Sequence, residues 1–286
     1  MTVYARRRLL AAVATLVVLA ALAGAAYVAT RGGGGHTSAG GPIGASSEPG
    51  AKSAKVRPEL AARAVRTVPL PKAIRGDGPL FELHGTTVAR VAPPVRAGKV
   101  ALTFDDGPGP YTLSILRELQ SLHVHATFFV IGRQIKLFPG VVEQLRAAGM
   151  VIGNHSWSHP KMTKYRFAVQ LAQIRRTQDA LKATIGQRPR FFRPPMWAWN
   201  RTTAQAVADE GMIGVLFSID TRDWSLPGVT AIVHSALKAR AGQIIALHDA
   251  GGAREETLQA LPLIVKGLRA HGLEPVTLDQ LYRAPA

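Results

Sequence analysis

Cysteine is absent from this chain of 286 residues. That excludes disulfides and thiolate metal centres, so any metal ion must be held by histidine and carboxylate side chains. It leaves the compartment open, because a cysteine-free chain suits either side of a membrane. Aromatic residues are scarce at 6%, yet 47% of the residues are hydrophobic, enough to bury a core over most of the length. Acidic residues are also few: 18 Asp/Glu stand against 35 Lys/Arg, a net charge of +17. Such an excess invites a nucleic-acid partner, but its distribution argues otherwise. Residues 1–98 hold 13 Lys/Arg and 4 Asp/Glu, and the remainder holds 22 and 14. No Arg/Lys-rich block interleaved with aromatics appears in that remainder, so no nucleic-acid partner is expected. A basic segment outside a membrane suits anionic envelope polymers or lipid headgroups instead. Nothing in the sequence signals an oligomer, and a monomer is expected.

Long apolar runs are absent but for one. Arg6, Arg7 and Arg8 precede "LLAAVATLVVLAALAGAAYVA", the 21 uncharged residues from Leu9 to Ala29. About 20 such residues cross a bilayer as a helix, and the arginines should stay in the cytoplasm, which places the rest of the chain outside. The small-residue sites "ALA" (21–23) and "GAA" (24–26) would permit signal cleavage, while the length of the run favours a retained anchor. The protein is therefore expected to be extracytoplasmic, anchored by this helix or secreted after cleavage. Residues 31–58 are rich in Gly, Ser, Ala and Pro without hydrophobic periodicity, the composition of a flexible tether. The expected division is an N-terminal signal or transmembrane segment at 1–30, a flexible linker at 31–75 and a globular domain at 76–286. At the domain's start, "ELAARAVRTV" suits a short helix, and "PLFELHG" with "TTVARVA" suits a hairpin packed on the rest of the domain.

From Lys99 onward the pattern is regular. Short β-branched runs at 99–104, 126–131, 150–154, 190–193, 214–219, 243–248 and 274–278 alternate with longer amphipathic segments, several closing on Gly as helix C-termini do. Strands alternating with helices imply a parallel sheet with helices outside it. Seven strands fall one short of the eight-stranded barrel, so a distorted seven-stranded (β/α) barrel is the first expectation and an open doubly wound sheet the second.

The unusual polar residues fall where the strands end. The first strand runs into "DDGPGP" with Asp105 and Asp106, the third into "NHSWSH" with His155 and His159. The fourth ends at Arg193 in "FFRPPMW", the fifth runs into "DTRDW" with Asp223 and Trp224, and the sixth ends at His248 in "IIALHD". In a parallel α/β fold all these ends open onto one face, where active sites are built. Two imidazoles and one carboxylate make a three-residue metal site with open positions. A divalent ion there polarises a carbonyl and lowers the pKa of water. Of the paired aspartates, one can hold the metal while its neighbour acts as general base, kept ionised by Arg193. His248 is the candidate acid, and a carboxylate such as Asp223 would raise its pKa.

"TFDDGP", "HSWSH", "RPP", "DTRDW" and "IALHD", in that order, resemble the five motifs of the polysaccharide deacetylases, carbohydrate esterases of the chitooligosaccharide and peptidoglycan deacetylase type. The match spans roughly residues 97–282. The resemblance implies a distorted seven-stranded barrel and hydrolysis of N-acetyl groups on extracytoplasmic glucosamine polymers, peptidoglycan or chitin-like. It further implies a divalent metal ion, most often zinc, with cobalt or manganese also suited to the donor set. Asp105 would be the base; Asp106, His155 and His159 the metal ligands; His248 the acid. Arg193 would orient Asp105, and Asp223 would pair with His248. Leu247 and Trp224 would shape the acetyl pocket, and the Met196 N–H would donate to the oxyanion. Family members usually follow "RPP" with an aromatic residue and Gly, whereas this chain reads "RPPMWAWN". Trp197 and Trp199 then either stack on sugar rings or cover the barrel mouth. The alternatives are an acetylxylan-type O-deacetylase and a glycan-binding module on the same barrel.

Overall fold

The computed structural model of the protein describes residues 74–84, 87–92 and 97–282. The expected apolar span at 9–29, the tether at 31–58 and the helix at 59–68 lie outside these residues. Among the described residues no helix is long and apolar enough to cross a membrane.

A hairpin opens the domain: β1 (Ile74–His84) pairs antiparallel with β2 (Thr87–Ala92). Leu80 and Phe81 of β1 dock antiparallel on Val215 and Gly214, so the hairpin packs on the sheet as its alternation suggested. The remaining strands are β3 (Lys99–Asp105), β4 (Thr127–Val130), β5 (Val151–Asn154), β6 (Phe191–Phe192), β7 (Ile213–Val215), β8 (Ile219–Asp220), β9 (Ile244–His248) and β10 (Glu274–Val276). All pair in parallel, in the order β7-β6-β5-β4-β3-β9-β8. Ala101 of β3 faces Ile244 on one side and Val276 on the other. The strand β10 therefore borders the start of β3, and β4 borders its end.

The single strand expected at 214–219 is two. Its first part ladders with β6 at one edge of the sheet, its second with β9 at the other. Leu216–Ser218 carry the chain between the edges, so the curl is completed by covalent continuity rather than by a ladder. This is the distortion of the barrel.

Helices cover the outside: α1 (Thr112–Ser121), α2 (Gln134–Leu137), α3 (Val141–Ala147), α4 (Phe167–Ile185), α5 (Arg201–Asp209), α6 (Val229–Ala236), α7 (Glu255–Ala270) and α8 (Leu278–Tyr282). In α1 the buried residues are Thr112, Ile115, Leu116 and Leu119, an i, i+3, i+4, i+7 stripe facing the sheet. The helix α7 repeats the rule with Thr257, Ala260, Leu261, Ile264, Val265 and Leu268. Gly186 ends α4 at φ 72, a left-handed cap that costs glycine little.

Strand alternation divides the core in two. Val100, Leu102 and Phe104 of β3, with Ile245 and Leu247 of β9, pack outward under the helices. Ala101, Phe129, Phe191 and Ile244 point inward with Leu278, Leu281 and Tyr282 of α8. Phe104 stacks on Phe128 with ring centroids 5.0 Å apart; truncating it to Ala would cost about 3–5 kcal/mol.

Candidate active site

The same alternation delivers the polar residues. Inward positions at the strand ends are Thr103 and Asp105 on β3, His155 just past β5, Arg193 just past β6, and His248 on β9. Each continues the phase of an apolar residue below it, as Phe191 does for Arg193.

Arg193 is fully buried at the centre. Its Nη1 donates to Asp105 Oδ1 and Thr103 Oγ1, both at 2.8 Å, and its Nη2 to Leu216 O at 2.9 Å. The guanidinium also lies 4.2 Å over the Phe129 ring, a cation–π contact. Burial alone would push the Asp105 carboxyl up. The charges of Arg193, His155 and His248, with the Arg193 hydrogen bond, outweigh it and hold the group below its ordinary value. Asp105 Oδ2 is buried and accepts no hydrogen bond. A proton acceptor is thus ionised with one oxygen free.

Asp106 follows with φ 76, and this left-handed turn swings its carboxylate away from that of Asp105. Across from it, the loop after β5 is built by side-chain acceptors. Asn154 Oδ1 takes the Ser156 N–H, Ser156 Oγ takes the His159 N–H, and Gln173 Oε1 takes those of Trp157 and Ser158. They hold Ser156 and His159 at φ 68 and 59, a strained path that turns both imidazoles to one point. Asp106 Oδ1 lies 3.2 Å from His159 Nε2 and 3.6 Å from His155 Nε2. The three donor atoms lie within 4.8 Å of one another.

These residues fit a divalent ion. Donors about 2.1 Å from a shared tetrahedral centre stand roughly 3.4 Å apart. Asp106 Oδ1 is buried without a hydrogen bond. His155 Nδ1 lies 2.8 Å from Arg193 O; a carbonyl only accepts, so Nδ1 carries the proton and Nε2 keeps its lone pair for a metal. Burial pushes the His155 pKa down against the carboxylates, keeping the ring neutral.

His248 is the opposite case. Its Nδ1 lies 2.7 Å from Asp223 Oδ1, and Asp223 Oδ2 accepts from the His248 N–H at 2.8 Å and the Thr257 hydroxyl at 2.7 Å. Burial works against its charge, but the hydrogen bond and charge of Asp223, reinforced by Asp105 and Asp106, raise the imidazole to about 9. An ionised carboxylate and a protonated imidazole thus flank the three metal donors.

The loop after "RPP" forms one wall. Met196 and Trp197 adopt φ 53 and 52 without the glycine such angles favour. Trp197 and Ala198 N–H groups donate to Pro194 O and Pro195 O, whereas no acceptor for the Met196 N–H is found among the described residues. The Trp197 ring packs edge-on against Phe217 at 4.4 Å and faces His248 at 6.5 Å. Trp199 instead stacks on Phe81 at 4.6 Å, away from the site, as a cover over the outer core. Trp224 is exposed beside Arg222. Leu247 is not brought to the mouth: one residue before His248, it alternates to the outer face and is buried beneath the helices.

Thr103, Phe217, Thr257 and Asp249 were missed from the sequence. Only Asp249 carried a signal, standing inside "IALHD". A separate cleft of about 640 Å³ lies near the starts of β5 and β6. Its Arg188 and Arg190 are ion-paired with Asp179, Glu210 and Asp279, and it holds none of the strand-end residues.

Fold and site together define a class: an α/β barrel whose strand ends gather a possible Asp/His/His metal site between a base and an acid. Residues 92–215 match the family model described as polysaccharide deacetylase. A peptidoglycan-N-acetylglucosamine deacetylase of Bacillus cereus is 33% identical, the alignment covering 66% of this chain and 70% of that protein. A chitooligosaccharide deacetylase of Bradyrhizobium sp. is 34% identical over 64% of this chain and 90% of the relative. A family 4 carbohydrate esterase from Streptomyces lividans, solved in complex with acetate, superposes with a TM-score of 0.62 at 36% identity, covering 66% of this chain and 97% of that structure. The chain belongs to the polysaccharide deacetylase family, and so to the carbohydrate-acting hydrolases.

Proposed function

We propose that the protein is a metal-dependent deacetylase that removes N-acetyl groups from an extracytoplasmic glucosamine polymer, peptidoglycan or chitin-like. The observation that carries this is the pairing of Asp105, ionised with a free oxygen, and His248, protonated through Asp223, on either side of Asp106, His155 and His159. Asp105 takes the proton of the attacking water on Oδ2 while Arg193 holds its other oxygen. The Met196 N–H donates to the amide oxygen as negative charge develops there. His248 then gives its Nε2 proton to the departing nitrogen as the C–N bond breaks, leaving acetate and a free amine; Asp223 steadies the imidazole throughout. A divalent ion held by Asp106, His155 and His159, zinc before cobalt or manganese, would supply Lewis acidity and a more acidic water. Trp197 and Trp224 would contact the sugar.

We place the reaction outside the cytoplasm, at the membrane or secreted, on the basic cluster before the apolar run at 9–29. The departure after "RPP" favours one second reading, an O-acetyl ester such as acetylxylan. Acetate release from chitooligosaccharides, peptidoglycan fragments and acetylxylan, measured side by side, separates the two. Asp105→Ala should abolish release from the preferred substrate while zinc content persists. Full activity in that variant would sink the mechanism.

A further inference from the structure

The loop after His248 grips the loop that carries Asp106. Its Asp249 N–H donates to Asp105 O at 3.1 Å, extending the β3–β9 pairing of Asp105 with His248. The Asp249 carboxylate is buried and receives the Thr112 hydroxyl on Oδ2. It presses so closely on Gly107 that a Cβ there would collide with it. Thr112 Oγ1 in turn accepts the Gly109 N–H at 2.8 Å, and the Ala250 methyl fills the space a side chain at Gly109 would need. Gly251, at φ 76, lies over Asp106: a Cβ on it would stand 2.6 Å from Asp106 Oδ2. One carboxylate oxygen of Asp106 is therefore stopped by Gly251, and the other is left facing the two imidazoles.

Asp249 has no part in the proton transfers, and its Oδ1 is buried without a partner. Filling a space this way is costly. What the residue does is hold the Asp106 segment against the strand of the acid. Accepting the Asp106/His155/His159 site, we propose that Asp249 and Gly251 are positioning residues for the metal ligand Asp106: Asp249 wedges its loop in place, and Gly251 sets the orientation of its carboxylate. The loop after β9 thereby aligns the metal centre and the acid as one unit.

The test is the zinc dissociation constant of metal-free protein, read by competition with a chromophoric chelator, for wild type, Gly251→Ala, Asp249→Ala and Asp249→Asn, with His155→Ala as reference. Gly251→Ala and Asp249→Ala should each weaken zinc about 10-fold or more, the range in which groups supporting a ligand act. Asp249→Asn keeps the volume and an acceptor for Thr112, and should stay within about threefold of wild type. Metal-free melting temperatures of all three should fall by only a few degrees. The proposal is overturned if either alanine variant binds zinc as wild type does, or if Asp249→Asn falls as far as Asp249→Ala. Unfolding of every variant would assign the loop to stability and overturn it equally. If wild type itself fails to bind zinc, or His155→Ala binds as well as wild type, the metal site falls instead.

Discussion

Replacing Asp223 with Asn leaves the shape of the acid's partner and removes its charge. The metal-free protein is the right sample, because no ion then adds its own field. In wild type, burial opposes the charge on His248, but Asp223, with Asp105 and Asp106, raises the imidazole from 6.5 to about 9. A difference of that size corresponds to about 3 kcal/mol of linkage. The sign follows from the direction: a raised imidazole stabilises the fold fully below about pH 6.5 and loses that contribution as pH climbs through about 9. Asp105 and Asp106 supply part of the rise, so Asp223→Asn should remove roughly 2–3 kcal/mol of pH-dependent stability. Urea melts of wild type and variant at about pH 6 and about pH 10 isolate it. The gap between the two proteins should be larger at the acidic pH by that amount, or by about 5–10 °C in melting temperature for a domain of this size. Any hydrogen bond lost to Thr257 appears at both pH values and cancels. A gap equal at both, or wider at alkaline pH, would refute the assignment of His248 as a protonated acid.

Arg193→Met should destabilise by about 3–5 kcal/mol at neutral pH, because a buried Asp105 carboxylate loses its counter-charge. The deficit should shrink as pH falls through the carboxylate range and Asp105 takes up a proton; denaturant titrations against pH check this. His155→Ala should lose zinc, measured by elemental analysis, and chelation of wild type should abolish acetate release until zinc, cobalt or manganese is restored. In Trp197→Gly, relief of the left-handed backbone should be outweighed by lost packing on Phe217, for a net cost of about 1–3 kcal/mol; calorimetry showing a higher melting temperature would contradict it.

Periodicity was enough to place six helices and the parallel strands, because amphipathic stripes and β-branched runs are local signals. The two strands β7 and β8 were hidden in one run, since the switch from partner β6 to partner β9 leaves the hydrophobic pattern unbroken. Trp199 shows the same limit: its stack on Phe81 joins residues from different elements, and no local pattern records it. Leu247 failed for a simpler reason. Period-two alternation beside His248 turns it outward, so the residue adjacent to the acid in the chain is the one that cannot share its face.

The sequence by itself determined which chemistry was available: no thiolates, two histidines four apart, paired aspartates, an arginine and a further histidine, each at the end of a strand. Only the tertiary structure decided how the labour divides among them. Asp105 and Asp106 are neighbours of one residue type, and their roles part because one points at buried Arg193 while a left-handed turn aims the other at His155 and His159. Burial, counter-charges and close approaches such as Gly251 over Asp106 arise between distant segments, and these set the protonation and direction of every group in the site.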